Sequence, residues 1–398
     1  MRTKAFRYLW IGQACANLGD VLYIVALIAA VYEATGSAML MTAVPFVITF
    51  SKFISSVLAP LMMGKWRLKR LLSFSQSAKT FFLFVLTAAV FTEGAGLSAV
   101  LVLAAVIAFL DGWALPATNA MVPYLVHKGE LLRTNGFLTT VNEVIHLCGW
   151  AGGGALTALL QPEGTLFVTA LLYTAASVFM HSLPVSPSSP KRESAAEGAK
   201  KLAGELAEGW ISIWKMPSLR LIHGAYILST IASVVWIAAV MYIFVEERLH
   251  AGTEWWGFIN GAFFAGVIAG GVLLLRFHRF FEQRQTLTLI GGTILASLFT
   301  FCFGVSTVPF LALIFSLLFG VFDEMRNVIL HTRVQMEAPT EKLGKVFAAQ
   351  NALNTLLFGL AVLASGVAAE HYGTPAVFVF SSILLLASAI PLHALAKK

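Results

Sequence analysis

The chain has 398 residues, of which 58% are hydrophobic and 12% charged, with a net charge of +7 and a mean hydropathy of +0.81. Soluble domains carry about 25% charged residues, so this composition excludes a water-solvated globular enzyme and leaves a chain dissolved mostly in lipid. The three cysteines, Cys15, Cys148 and Cys302, are scattered through apolar stretches, a pattern that supports neither a disulfide framework nor a metal cluster.

A membrane helix needs about 20 apolar residues. On that template the chain holds twelve spans, near 8–32, 39–63, 71–92, 97–119, 134–160, 165–183, 219–245, 254–275, 286–306, 309–330, 345–369 and 373–394. The fourth is expected to end near Pro116, and the basic start of the chain followed at once by a spanning-length stretch reads as a first span rather than a cleaved leader. With the amino terminus placed in the cytoplasm, 24 of the 27 Lys and Arg residues fall on the inner side. Only Arg248 falls outside, while Lys52 and Lys79 lie within spans. That asymmetry follows the positive-inside rule. It places both termini in the cytoplasm, and a plasma (inner) membrane is the expected location. It also accounts for the net charge, so no nucleic-acid partner is needed.

One long polar stretch, Ser186 to Lys215, starts rich in Pro and Ser and ends as an amphipathic helix pattern. It divides the chain into a six-helix half, 1–184, a cytoplasmic linker, 185–217, and a second six-helix half, 218–398. Shifting the first half by about 212 residues brings Asp111 onto Asp323 and Glu143 onto Asn354, each within a residue. The expected fold is all-α and integral to the membrane, with twelve helices in two pseudo-symmetric halves. Parallel six-span repeats are a transporter plan.

Ionisable groups in hydrocarbon cost roughly 2.5–3.5 kcal/mol each, so they mark a cavity or a partner. All three aspartates of the chain, Asp20, Asp111 and Asp323, fall within spans. Asp20 and Lys52 lie at similar depth and are read as a pair, as are Asp111 and Lys79. Asp323, Glu324 and Arg326 form a cluster near the inner end of span 10, read as an inner gate or lock. Asp323 and Arg326 are spaced to pair locally, or Arg326 snorkels to the interface. In span 5, Thr139, Asn142, Glu143 and His146 fall on one helix face. A carboxyl there changes its charge when it exchanges a proton and can thereby favour one cavity opening over another. Glu143 is therefore the first candidate for proton coupling, with Asp20 and His146 behind it. Gln350, Asn351 and Asn354 give span 11 a polar strip. With Asn142, Trp113 and Trp150 they are the candidate substrate contacts. Glu143-x-x-His146 matches half of a di-iron motif, but the second copy is missing. No metal, nucleotide or other cofactor is expected, and no enzyme constellation is found.

The segments FRYLWIGQACANLGD (6–20), PATNAMVPYLVHKGELLRTNGF (116–137) and the Gly-rich run at Gly149 and Gly152 to Gly154 resemble the major facilitator superfamily. More narrowly, they are similar to its drug:proton antiporters, the branch of macrolide-efflux proteins and the enterobactin exporter; QMEAPTEKLGKVFAAQNAL (335–353) is a weaker echo. Three positions depart from that pattern. The loop between spans 2 and 3 reads MMGKWRLKR, with Gly64 where the family has aspartate. Trp150 stands in place of the proline of the span-5 motif. The span-4 arginine is missing, with Asp111 as the charge instead. The resemblance implies a monomeric secondary transporter whose partners are a small-molecule substrate, protons and the bilayer. It implies export of amphipathic or hydrophobic compounds. The alternatives are an exporter of one endogenous compound, such as a siderophore or peptide antibiotic, or a lysophospholipid or nutrient carrier.

Overall fold

The computed structural model describes residues 3–92, 96–184, 199–236, 238–252 and 254–397. Residues 185–198, the Pro- and Ser-rich start of the linker with Lys191 and Arg192, lie outside the described residues, as does Glu93. In chain order the α-helices are α1 (Lys4–Thr35), α2 (Ala38–Lys65), α3 (Leu68–Phe91), α4 (Leu97–Asp111), α5 (Ala114–Leu125) and α6 (Leu131–His181). Then come α7 (Ala199–Lys215), α8 (Pro217–Ser233), α9 (Ala238–Glu247), α10 (Glu254–Arg276), α11 (His278–Gln283) and α12 (Gln285–Val305). Last are α13 (Pro309–Glu337), α14 (Leu343–Tyr372), α15 (Thr374–Ala387) and α16 (Ala389–Ala396).

Local chemistry sets the ends of these helices. Thr3 caps α1 by accepting from the Phe6 amide, and Gly36, at φ 63°, ends it in the left-handed conformation that glycine adopts freely. Ser37 caps α2 by accepting from the Leu40 amide. The fourth span does not stop near Pro116 as the sequence suggested. The helix breaks earlier, at Gly112 and Trp113, and restarts as α5, which carries Pro116 in its first turn and runs to Leu125. Proline is compatible with a first turn, where its missing N–H has no partner to lose. The fifth and sixth spans are continuous as α6 except at Gln161, whose φ 60° and ψ 167° interrupt the helix directly before Pro162. A residue preceding proline is pushed out of the helical region, so the Gln161-Pro162 pair makes the turn between two spans without any loop.

Among the described residues, ten stretches are long and apolar enough to cross a membrane. One of them, Lys128–His181, holds the two spans joined at Gln161. Helix α13, less apolar because of Asp323, Glu324 and Arg326, supplies the twelfth. The protein is thus an all-helical, twelve-span membrane protein.

Two compact units are present. The first comprises Met1–His127, Val144–Ile211 and Pro339–Ala352; the second comprises Lys128–Glu143, Ser212–Ala338 and Leu353–Lys398. Within the first, the Gly-rich run of α6 divides by face. A side chain at Gly149 would strike Val21, and one at Gly153 would press on Leu22 and Val25, so these two glycines let α6 approach α1. Gly152 and Gly154 face open space. Within the second unit, Gly266 and Gly270 of α10 lie against the Leu317 and Val321 carbonyls of α13, the close small-residue approach that membrane helices use in place of a hydrophobic drive.

The amphipathic helix α7 is tied down inside the first unit. Glu208 receives Lys345 Nζ at 2.6 Å and Lys342 Nζ at 3.1 Å. Gly209 lies against the Lys345 carbonyl, and the Glu205 carboxylate lies against Gly64. Burial alone would raise the Glu208 carboxyl, but the hydrogen bonds from the two lysines outweigh it and hold the group below its ordinary value of 4.5. The bound state of α7 should therefore be favoured at neutral pH and loosen as pH falls below about 4.5. Hydrogen exchange of α7 amides, corrected for intrinsic rates, should show roughly two- to fivefold faster opening in Glu208→Gln at pH 7, as expected for a half-exposed ion pair. Equal protection in the variant and the wild type would show that these lysines do not hold the helix.

Candidate functional site: two intramembrane charge clusters

The first cluster is built at the break between α4 and α5. Where a helix stops, its last carbonyls lose their partners and must find others. Here serines of two neighbouring helices supply them. Ser55 Oγ donates to the Phe109 carbonyl and Ser75 Oγ to the Leu110 carbonyl, both at 2.5 Å, and Ser56 Oγ donates to the Gly112 carbonyl at 3.2 Å. Gly112 is glycine because a Cβ there would collide with Ser55. Asn351 Nδ2 of α14 donates to Ser56 Oγ at 2.7 Å, so this strip residue completes the serine array. The array fixes the last residue of α4, Asp111, between α2 and α3.

Asp111 takes both neighbouring lysines. Lys79 Nζ of α3 lies 2.6 Å from Asp111 Oδ1, and Lys52 Nζ of α2 lies 2.7 Å from Asp111 Oδ2. Lys79 also lies 2.8 Å from Asp20 Oδ1 of α1. The Tyr173 hydroxyl donates to the same Asp20 oxygen, and its ring lies under the Lys79 ammonium at 4.5 Å. The pairing of Asp20 with Lys52 expected from depth is therefore replaced by a four-member chain, Asp20–Lys79–Asp111–Lys52. Depth told which groups share a level; helix rotation decides which of them meet. Lys79 is 1% exposed, whereas the Lys52 side chain is 37% exposed and forms the open end of the chain. The cavity bounded by Asp20, Tyr23, Lys52, Asp111 and Tyr173 has a volume of about 10 Å³, room for a single water at most. Two carboxylates and two ammoniums balance to zero, which is what makes their burial tolerable.

The second cluster lies on α13 in the other unit. Arg326 Nη2 donates to Asp323 Oδ1 at 2.6 Å, and Asn327 Nδ2 donates to Asp323 Oδ2 at 2.9 Å. Arg326 is 1% exposed, so it does not snorkel to the interface; it is held inside by Asp323. Its Nε and Nη1 have no hydrogen-bond partner among the described residues, nor has Glu324 Oε1. The charges of Glu143 and Asp323 both act on Glu324. Glu143 itself is half-buried on α6 and makes no ion pair among the described residues. At the start of α6, Asn135 Nδ2 donates to Thr332 Oγ1 and Gln335 Oε1 of α13, at 2.8 and 2.7 Å.

The other candidates are dispersed. His146 and Asn142 are half-buried. Gln350 is buried with Oε1 unpartnered, and Asn354 Oδ1 accepts weakly from Thr230 at 3.5 Å. Trp113 is buried with its ring edge-on to Phe109, a packing position, while Trp150 is half exposed. Tyr173 and the serines around Asp111 were not singled out by the sequence. A hydroxyl in an apolar span carries no period or motif, and only its partner distinguishes it from an ordinary packing residue. Trp236 packs its ring against Phe319, with centroids 4.2 Å apart, and against Phe303 at 4.7 Å, in an aromatic core.

A family model described as Major Facilitator Superfamily matches residues 9–361. The chain belongs to that superfamily. Two relatives from Bacillus subtilis (strain 168) support the assignment along its whole length. The uncharacterized MFS-type transporter YfmI is 26% identical over 392 residues, covering 98% of this chain and 95% of the relative. The uncharacterized MFS-type transporter YjbB is 25% identical over 379 residues, covering 95% and 92%. Among solved structures, the human organic anion transporter MFSD10 (TETRAN) aligns with a TM-score of 0.76 at 13% identity, covering 98% of this chain and 99% of that one. A bacterial homologue of the iron transporter ferroportin, in its outward-facing state, aligns with a TM-score of 0.75 at 16% identity, covering 99% and 100%. The E. coli fucose:proton symporter FucP aligns with a TM-score of 0.75 at 13% identity, covering 99% and 98%. At these identities the structures establish the fold alone. The major facilitator chain described here is a secondary-type transporter and a multi-pass membrane protein.

Proposed function

We propose that this transporter exports small amphipathic or hydrophobic compounds by alternating access, driven by inward proton flow. It would belong with the macrolide-efflux and enterobactin-exporter-like drug:proton antiporters, work as a monomer in the plasma membrane, and hold both termini in the cytoplasm. Its two six-helix halves would be 1–184 and 218–398, joined by the linker 185–217. The observation that carries the reading is the contrast between the carboxylates. Asp20, Asp111 and Asp323 each hold a cation within 2.8 Å, whereas Glu143 and Glu324 hold none among the described residues. A paired carboxylate is fixed by its partner; an unpaired one in a membrane interior is free to trade its charge for a proton. Glu143 is the proposed proton carrier, with His146 assisting; Asp20, held by Lys79 here, would assist only once that pair separates. The chain of Asp20, Lys52, Lys79 and Asp111, together with Asp323, Glu324 and Arg326, is proposed to hold and release the gates. Asn142, Trp113, Trp150, Gln350, Asn351 and Asn354 are the proposed substrate contacts. Inverted vesicles from cells making the protein test direction and coupling together. Labelled lipophilic cations, macrolides or siderophores should accumulate when the vesicle interior is acidified, and a protonophore should abolish the uptake. Accumulation that ignores the protonophore would contradict proton coupling.

A further inference from the structure

A cavity of about 490 Å³ lies in the first unit, where α3 begins and α5 and α6 end. Three permanent cations border it, Arg67, Lys69 and Arg70, together with His181 and with Tyr124, whose hydroxyl donates to the Thr340 carbonyl at 3.1 Å. None of the three permanent cations has a carboxylate partner among the described residues, although the transmembrane clusters leave no ammonium unpaired. The remaining polar groups at the floor are already satisfied. Ser73 Oγ donates to the Met180 carbonyl at 2.9 Å, and Ser77 and Ser177 share a hydrogen bond of 2.8 Å. Arg70 is held at the rim by its stack over Trp66, 5.4 Å from the ring centre, and Trp66 meets Phe74 edge-on at 4.8 Å. Phe74 is 45% exposed and forms the apolar wall together with the buried Met121. Helix α3 opens here without a side-chain cap, so its first amides add the positive end of the helix dipole to the rim.

Cations at a span terminus above an apolar wall match one kind of ligand, an anionic head on hydrocarbon tails. We infer that this cavity is a binding site for an anionic phospholipid at the membrane face where α1 begins. The phosphate sits among Arg67, Lys69 and Arg70, and an acyl chain runs down past Phe74. The cation set rather than a hydrogen-bond array selects the ligand, so the site distinguishes charge and not headgroup identity.

Native mass spectrometry of the purified full-length protein tests this without any transport assay, so its outcome is independent of proton coupling. The protein is offered equal amounts of phosphatidylglycerol and phosphatidylcholine. Wild type should retain phosphatidylglycerol selectively. Arg67→Gln with Arg70→Gln, both exposed positions, should lower that preference roughly tenfold or more, since each basic residue near an anionic lipid surface contributes about 1 kcal/mol. Arg276→Gln with Arg279→Gln, basic positions outside the cavity, should leave it intact. Equal retention of both lipids by wild type would overturn the site. So would an equal loss in the control pair, or displacement of the lipid by free glycerol phosphate at the same concentration, which would make it a site for soluble phosphate.

Discussion

Replacing Lys79 by methionine is expected to cost about 3–5 kcal/mol of stability, the range seen when one partner of a buried ion pair is removed. Lys79 is 1% exposed and, among the described residues, is the one cation that touches both Asp20 and Asp111. Without it the first cluster holds two carboxylates and only Lys52, and Lys52 pairs with Asp111. Among the described residues, Asp20 would be left with the Tyr173 hydroxyl alone. The cause is charge and not volume, because methionine fills the space of the lysine stem. Lys79→Met combined with Asp20→Asn should therefore recover most of the loss, since it restores a neutral Lys52–Asp111 pair. Thermal unfolding of the purified protein in detergent measures both variants. A double variant as unstable as the sum of its parts would show that the four-member chain is not held by charge balance.

Arg326→Met should be comparably damaging in the second unit. Arg326 is 1% exposed, so the site has no water to take over its role, and its loss strands Asp323 beside Glu324. Asn327 would still donate to Asp323 Oδ2, which covers one oxygen of the stranded carboxylate. Arg326→Met with Asp323→Asn should again be milder than the single change. Arg326→Lys is expected to fall between them: it keeps the charge but replaces the planar guanidinium, whose Nη2 donates to both Asp323 Oδ1 and Asn327 Oδ1, with a compact ammonium. If Arg326→Met unfolds at the wild-type temperature, the cluster contributes nothing to stability.

The sequence carried the residue types of these clusters and two of their pairings, Asp111 with Lys79 and Asp323 with Arg326, but not the partner of Asp20, which is Lys79 rather than Lys52. Charges stand out against an apolar background, so Asp20, Lys52, Lys79, Asp111 and Arg326 were all visible. Which ammonium meets which carboxylate depends on helix rotation, which twelve uniformly apolar stretches do not encode. The serines at 55, 56 and 75 matter because α4 breaks at Gly112, and that break is itself hidden inside a continuous apolar run. The turn at Gln161-Pro162 was legible as a boundary because proline restricts its predecessor. The attachment of α7 was not, because Glu208 lies more than 130 residues before Lys342 and Lys345. Family membership was legible from short motifs and is established by the match over residues 9–361.

The most direct test of the proposed coupling uses purified protein in liposomes loaded with a pH-sensitive dye, under an imposed pH gradient, with lipophilic cations, macrolides and siderophores added in turn. Wild type should move protons only when a transported compound is present. Glu143→Gln, similar in size but unable to carry a proton, should bind that compound and lose the proton movement. Proton movement that survives in Glu143→Gln would contradict the assignment of this carboxyl as the carrier, and compound crossing with no proton movement in wild type would contradict proton coupling itself.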